Sequence, residues 1–186
     1  MAVLSGRTVV LDPGHGEVSE GVNDPGAVNP LLQLNERDAV RRQADLVCEG
    51  LKALGASVKI IENGTTMSLR ELGAEGEGCD CFVSLHLNAC NEQAQGHLVL
   101  IDSNGTSSDE KLAELINEEL NHRLNIADHG VRREALGVLK GVPLPVPAVL
   151  VESFFLDSAR SKKDVEQWLL NSAQGITAGV ESFLNR

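Results

Sequence analysis

Two of the five histidines stand in sequence contexts that could place them at a reactive site. His15 lies between Gly14 and Gly16, whose backbones can adopt tight conformations around the ring. His86 directly follows a short apolar run at residues 81–85. If the runs before both histidines are strands of an open α/β sheet, both rings lie at carboxyl ends of strands, where such folds bind ligands.

Two glutamates stand beside apolar segments, where a charge is costly unless it has a partner. Glu36 comes four residues before Val40 and extends the apolar stripe of a predicted helix into its first turn. A metal ion or a role in capping the helix would each explain it. Glu152 ends an apolar run, and a salt bridge with Arg132 or Arg133 is the alternative to a chemical role.

Together these residue types suggest metal-assisted hydrolysis. Two imidazoles and one carboxylate form the three-ligand set of catalytic zinc sites, which leaves a fourth position for water. A further glutamate could accept the proton of that water. The four residues are scattered from position 15 to position 152, so spacing alone leaves this assembly a hypothesis.

The elements that would position these residues alternate between strand-like and helix-like runs, which indicates an α/β fold. Apolar residues at steps of three and four predict a helix over residues 35–54, which Gly55 ends. A capping box of Ser107 and Glu110 predicts a second long helix, and Ser161 caps a third. The remaining predictions are buried strands at 8–11, 57–61, 81–85, 98–101 and 148–151, a short helix at 68–77, a loop at 23–34 and an edge strand at 135–139.

Composition excludes several classes of function. The chain has 186 residues, with 16 Lys and Arg against 27 Asp and Glu, a net charge of −11, and only 3% aromatic residues. This length fits one domain. The negative charge argues against nucleic acid and anionic membrane as partners, and the few aromatic residues argue against a stacking platform. No stretch approaches the ~20 apolar residues of a membrane span, and the N-terminus does not resemble a signal peptide.

The four cysteines are expected to be reduced and mostly buried. They form no C-x-x-C pair, and their density is far below that of a disulfide scaffold. Cys79 and Cys81 have one residue between them, which is tighter than the spacing of structural zinc ligands.

Six segments, taken in order, resemble a known family. They are residues 9–16 (VVLDPGHG), 24–27 (DPGA), 36 (E), 84–89 (SLHLNA), 130–133 (GVRR) and 147–152 (PAVLVE). Their joint order and spacing is similar to that of the zinc-dependent N-acetylmuramoyl-L-alanine amidases, in the branch called type 3. This branch includes bacterial cell-wall amidases and the catalytic domains of phage endolysins. The resemblance extends from about residue 7 to residue 185.

This resemblance implies a fold, a cofactor and a reaction. The fold is one catalytic domain over residues 1–186, a twisted mixed and mostly parallel sheet of about six strands with helices on both faces. The cofactor is one Zn²⁺ per chain, with His15, Glu36 and His86 as ligands. The reaction is hydrolysis of the amide bond between the lactyl group of N-acetylmuramic acid and L-alanine in peptidoglycan, with zinc-activated water and Glu152 as acid and base.

The chain departs from the family pattern in several places near the expected groove. Glu17 stands where a second glycine is usual, and residues 18–23 are an insertion. Phe154 replaces a glycine, and Asp157 with Ser158 replaces Ser-Asn. The four key positions are unchanged, but substrate preference is affected, and Glu17 becomes an alternative ligand to Glu36.

Further residues are candidates for substrate contacts. Arg132 or Arg133 could meet a carboxylate of the stem peptide, although solvated surface arginines are the alternative. His129 directly precedes the segment at residues 130–133 and Asn88 lies within the segment at residues 84–89, so both are candidates. His97 is expected to be structural or exposed.

Two other functions stay open on the sequence alone. One is a zinc carboxypeptidase or endopeptidase that cuts within the stem peptide, and the other is a non-catalytic wall-binding module. The expected partner is peptidoglycan, with no nucleic acid, no membrane insertion and a monomeric chain. The expected place of action is the bacterial cell wall, in the periplasm or outside the cell. If the chain is a phage endolysin used in cell lysis, it is expected to stay in the cytoplasm until its release.

Overall fold

A six-stranded sheet organises the chain in a computed structural model that describes residues 2–19, 21–62 and 67–185. In chain order the strands are β1 (Thr8–Pro13), β2 (Gly16–Ser19), β3 (Val22–Asp24), β4 (Val28–Asn29), β5 (Leu34–Asn35), β6 (Ser57–Ile60), β7 (Cys81–Asn88), β8 (His97–Asp102), β9 (Asp128–Glu134) and β10 (Ala148–Phe155). The helices are α1 (Glu36–Ala53), α2 (Leu69–Ala74), α3 (Ser107–Leu124), α4 (Gly137–Gly141) and α5 (Lys162–Leu184).

The central sheet has the order β6-β1-β7-β10-β8-β9, and its neighbours are parallel except at the β10–β8 pair. This architecture confirms the predicted mixed, mostly parallel sheet of about six strands. Two small antiparallel pairs, β2–β3 and β4–β5, occupy the segment between β1 and α1. The loop predicted at residues 23–34 therefore carries short pieces of paired strand.

Helices cover both faces of the sheet, as predicted. On one face α1, α3 and α5 pack against apolar residues such as Leu11, Val83 and Val151. On the other face the short helices α2 and α4 pack against residues such as Phe82 and Leu150. The central strands read as continuous apolar runs because they are buried on both sides.

The long helices begin close to where the sequence predicts them. Asn35 caps α1, since its side chain accepts a hydrogen bond from the backbone N–H of Asp38. Ser161 caps α5 as predicted. The capping box of α3 was placed one residue too late, because Thr106 and Asp109, rather than Ser107 and Glu110, exchange the capping hydrogen bonds.

The predicted edge strand at residues 135–139 is wrong. The edge strand is β9, which ends at Glu134, and residues 137–141 form α4. An apolar run this short fits a strand or a helix turn equally well, and here Val138 and Leu139 bury their side chains under the second face. The more polar residues 128–134 form the strand because backbone hydrogen bonds to β8 require no apolar side chain.

The cysteines agree with their prediction. All four are free thiols, with Cys48, Cys79 and Cys81 buried and Cys90 exposed. Among the described residues, no helix combines the length and the apolar character that crossing a membrane requires.

Candidate active site

Three of the predicted residues converge at the carboxyl end of the parallel strands. His15 follows β1, His86 lies near the end of the neighbouring β7, and Glu36 is the first residue of α1. One ligand atom from each side chain lies within 4.8 Å of the others. Glu36 is 3% exposed, whereas the two histidine side chains are 20% and 19% exposed, so the cluster is open on the imidazole side.

The backbone around this cluster leaves room for the two rings. His15 has a φ of +66°, a left-handed conformation that is uncommon for residues other than glycine. A Cβ on Gly14 would lie 2.2 Å from the His86 ring, and a Cβ on Gly26 would lie 2.5 Å from the Glu36 carboxylate. Both positions therefore require glycine if the three side chains are to meet.

The Glu36 carboxylate is fully engaged. Its Oε1 lies 3.0 Å from His15 Nε2 and 3.0 Å from His86 Nδ1, and it accepts a hydrogen bond from the backbone N–H of Leu87. Its Oε2 accepts a hydrogen bond from the N–H of Ala27. The alternative that Glu36 caps its own helix is wrong, because Asn35 fills that role.

A residue outside the predicted set orients His15. The Oδ2 of Asp24 lies 2.8 Å from His15 Nδ1, on the opposite side of the ring from Glu36, and its Oδ1 accepts a hydrogen bond from the N–H of Gly26. A carboxylate in this position fixes the ring orientation and leaves the other nitrogen for a ligand. The Asp-Pro-Gly turn at residues 24–26 was a signal for this role, although it was interpreted only as part of the family pattern.

Charge coupling in the cluster is strong. Burial alone would lower the pKa of His15, but its hydrogen bonds to the carboxylates of Glu36 and Asp24 raise that pKa to about 9. Burial alone would raise the pKa of Glu36, but its contacts with His15 and His86 lower it to about 2. In the metal-free protein these contacts therefore favour the charged forms of His15 and Glu36 within the hydrogen-bonded network.

Glu152 lies directly beside this network. It is in register with His86 on the adjacent strand, and β10 continues past it to Phe155. Its Oε2 is buried and has no hydrogen-bond partner within the described ranges. Burial raises the pKa of Glu152 to about 7, although His86 opposes the shift.

The predicted salt-bridge alternative for Glu152 does not occur. Arg133 instead pairs with Glu110 and donates a hydrogen bond to the carbonyl of Gly105. Arg132 is exposed and forms no ion pair within the part of the chain that the structure describes. A carboxylate whose buried Oε2 has neither a hydrogen bond nor a cation among the described residues is available for chemistry at the cluster.

The other candidate residues lie outside the three-residue cluster. His129 Nε2 lies 3.0 Å from the carbonyl oxygen of Gln95, and Asn88 Oδ1 accepts a hydrogen bond from Ala89 N. Glu17 Oε1 accepts a hydrogen bond from the backbone of Gly21, so nothing supports Glu17 as a ligand in place of Glu36.

The departures from the family pattern have structural roles. Phe154 is buried, and its ring centroid lies 5.3 Å from that of Trp168 in α5. Asp157 accepts hydrogen bonds from the backbone N–H groups of Cys90 and Glu92, which fastens the loop after β7. The insertion at residues 18–23 belongs to the β2–β3 pair, apart from residue 20, which lies outside the described residues.

A cavity of about 450 Å³ opens beside the cluster. His15, His86, Asp24 and the buried Asp12 line one side of it, and apolar residues of α2, α4 and the segment after β6 line the other. Asp12 accepts a hydrogen bond from Ser84 beneath the histidines. The cavity gives a ligand access to the imidazole side of the cluster.

The donor set fits a zinc ion. Two imidazoles and a carboxylate converge within ligand distance of one another, one imidazole is backed by Asp24, and two glycines leave space for the ligands. Such sets occur in catalytic zinc sites, where a position stays free for water.

Comparisons with known proteins agree with this geometry. A family model described as N-acetylmuramoyl-L-alanine amidase matches residues 9–182. The N-acetylmuramoyl-L-alanine amidase LytC of Bacillus subtilis is 30% identical over 96% of this chain and 36% of its own length. The probable cell wall amidase LytH of Staphylococcus epidermidis is 25% identical over 98% of this chain and 60% of its own length.

Solved structures share the fold over almost the whole chain. The structure of N-acetylmuramoyl-L-alanine amidase from Clostridium difficile 630 has a TM-score of 0.84 and 26% identity, with 96% of each chain covered. The catalytic domain of CwlV, an N-acetylmuramoyl-L-alanine amidase from Paenibacillus polymyxa, has a TM-score of 0.80 and 25% identity, with 96% of this chain and 98% of that chain covered. By contrast, the chain spans between 36% and 60% of the curated relatives described above.

Proposed function

Because the chain belongs to the N-acetylmuramoyl-L-alanine amidase family, we propose that it hydrolyses the amide bond between the lactyl group of N-acetylmuramic acid and L-alanine in peptidoglycan. The observation that carries this proposal is the convergence of His15, Glu36 and His86 beside Glu152, whose buried Oε2 has no hydrogen-bond partner among the described residues. Two solved structures of N-acetylmuramoyl-L-alanine amidases, each covered over at least 96% of its chain, support the same reaction.

We assign one zinc ion per chain to His15, Glu36 and His86. When bound, zinc supplies a Lewis acid that activates a water molecule and polarises the scissile carbonyl. Asp24 keeps the Nδ1 side of His15 engaged, so that Nε2 faces the ligand cluster.

Glu152 is the proton carrier. It accepts a proton from the attacking water and then gives a proton to the departing α-amine of L-alanine, so the glutamate ends the cycle in its starting state. Its buried Oε2 has no competing partner among the described residues, and its pKa of about 7 suits a group that must both accept and donate.

We rank the candidate residues for substrate contacts by how exposed their side chains are and by whether ion pairs already engage them. Arg132 is exposed and free of ion pairs in the described part of the chain, so it can meet a carboxylate of the stem peptide. Arg133 is already paired with Glu110 and is a weaker candidate. Asn88 and His129 lie on the same edge of the sheet and complete the proposed contacts.

We place residues 1–186 in one catalytic domain that acts as a monomer on peptidoglycan at the bacterial cell wall. The support is the family match and the cell wall amidases among its relatives.

The test is digestion of purified peptidoglycan by the zinc-loaded protein, followed by mass spectrometry of the released fragments. We expect stem peptides with L-alanine at a new N-terminus, and we expect a chelator to abolish their release. A different new N-terminal residue would identify a peptidase. Unchanged peptidoglycan with zinc-loaded protein would identify a binding module.

A further inference from the structure

A polar side chain is buried in the helix that carries Glu36. Gln43 in α1 has no exposed surface, yet it lies within the apolar layer formed by α1, α5 and the sheet. Burying a side-chain amide in such a layer is costly unless hydrogen bonds satisfy it. The presence of a polar Gln43 in this layer therefore needs an explanation, whereas an apolar residue of the same size would need none.

The Gln43 amide joins three elements. Its Nε2 donates hydrogen bonds of 2.8 Å to Ser153 Oγ in β10 and 2.6 Å to Ser172 Oγ in α5. Both serines are fully buried, and Ser172 in turn donates to the carbonyl of Leu169. The Oε1 of Gln43 has no partner in the described residues, so the two hydrogen bonds to the serines are both on the donor side of the amide.

The two ends of the Gln43–Ser153 hydrogen bond belong to the helix and the strand that carry two of the proposed catalytic groups. Glu36 begins α1 about two helical turns before Gln43, on the same side of the helix. Ser153 follows Glu152 in β10, and alternation along the strand turns these two side chains to opposite faces of the sheet. The bond thus fixes the position of the Glu36 helix against the Glu152 strand.

We propose that Gln43 is a positioning residue: its hydrogen bond to Ser153 sets where Glu36 stands relative to His86 and Glu152. This inference rests on the proposed function, because it assigns a purpose to the spacing of those groups. A hydrogen bond is directional and is stronger in a dry layer than in water, so it adds an orientational restraint to the apolar packing of the helix. Displacements of about 1 Å at an active site can lower rates by ~10²-fold.

The test compares Gln43→Met with the wild-type protein. Methionine keeps the length and volume of the side chain but removes both hydrogen bonds. We expect the zinc Kd of the metal-free protein, measured by competition with a chromogenic chelator, to rise about tenfold. We expect kcat of the fully loaded protein on muropeptides to fall about tenfold or more while KM stays within about twofold.

Two further variants make the result interpretable. Asn171→Ala is the matched control, because Asn171 in α5 also donates a cross-element hydrogen bond, but to the Arg123 carbonyl in α3, a helix that carries none of the proposed ligands. It is expected to leave the zinc Kd and kcat unchanged even if Tm falls. Ser153→Ala removes only the β10 end of the network. We expect it to raise the zinc Kd and lower kcat, as Gln43→Met does. It replaces Gln43→Met in the test if that variant does not fold.

The proposal is overturned if the folded Gln43→Met and Ser153→Ala variants bind zinc and turn over like the wild type, whatever their Tm. If the wild type itself releases no L-alanine peptides, the proposed function fails. The ratio of zinc Kd values still decides whether Gln43 positions Glu36.

Discussion

Two groups of histidine and carboxylate side chains lie at the same edge of the sheet, and they differ in exposure and in the direction of their histidine pKa shifts. In one, His15 and His86 share the Glu36 carboxylate at 3.0 Å. In the other, the fully buried His97 begins β8, and its Nε2 lies 3.6 Å from Asp128 in β9, too far for a hydrogen bond.

The difference lies in access and in the number of partners. The first cluster keeps about a fifth of each imidazole exposed beside a cavity, and carboxylate contacts raise the pKa of His15. Burial lowers the pKa of His97, and Asp128 only partly opposes that shift. The comparison teaches that a histidine near a carboxylate becomes a candidate ligand only when several donors converge on a space open to solvent.

The largest expected contrast is between His86→Ala and His97→Leu. Removing one of three ligands should leave less than about a tenth of the wild-type zinc content and no measurable hydrolysis. Replacing His97 by an apolar residue of similar size should keep zinc content and kcat within about twofold, because His97 contributes no atom to the three-residue ligand cluster. Elemental analysis and muropeptide release measure both, and a zinc-loaded, active His86→Ala protein would remove His86 from the ligand set.

The next contrast separates metal binding from proton transfer within the first cluster. Glu152→Gln should lower kcat by ~10²–10⁴-fold, because the amide cannot carry the proton, and should leave zinc content unchanged. Glu118→Gln in α3 is the control, since it removes an exposed carboxylate from a helix that carries none of the proposed site residues. Wild-type turnover by Glu152→Gln would show that another group transfers the proton.

A smaller effect is expected from the carboxylates that support each histidine. Asp24→Asn should weaken zinc binding about tenfold, because His15 loses the charged partner that orients its ring. Asp128→Asn should leave the zinc Kd unchanged. Competition with a chelator measures both, and equal effects of the two substitutions would contradict the distinction drawn between the clusters.

The smallest expected effect concerns stability in the metal-free protein. Burial raises the pKa of Glu152 from 4.5 to about 7, so the folded state binds this proton more tightly than the unfolded state does. Stability from this group is therefore present below pH 4.5 and is lost as the pH rises towards and past 7. Glu152→Gln should be more stable than the wild type at pH 8 by about 1–3 kcal/mol, with the difference vanishing near pH 4.

Denaturant unfolding of both metal-free proteins across this pH range measures the difference. A constant difference in the free energy of unfolding from pH 4 to pH 8 would show that Glu152 ionises in the folded protein as it does in the unfolded chain.

Much of the fold was predictable because it depends on local patterns. The apolar spacing of α1 and α5, their caps at Asn35 and Ser161, and the short buried runs of β1 and β7 are properties of neighbouring residues. The failure at residues 135–139 has the same origin, since an apolar run of that length does not distinguish a strand from one turn of helix.

The candidate site was predictable in its residue types but not in its supporting contacts. His15, Glu36, His86 and Glu152 stood out because polar groups at the ends of apolar elements need partners. Their roles as ligands and acid–base group remain predictions for the experiments above. Asp24 and Gln43 were not singled out, because one occupies a common turn and the other an ordinary helix position.

The sequence by itself determined the α/β class, the family pattern and the candidate ligand set of this protein. Only the tertiary structure decided that Oε2 of Glu152 has no hydrogen-bond partner among the described residues and that Glu36 rather than Glu17 meets the two histidines. It also decided that Asp24 orients His15 and that Gln43 joins α1 to β10. The physical reason is distance along the chain: hydrogen bonds and burial at this site join residues from β1, α1, β7 and β10, and no local pattern records which of them will meet.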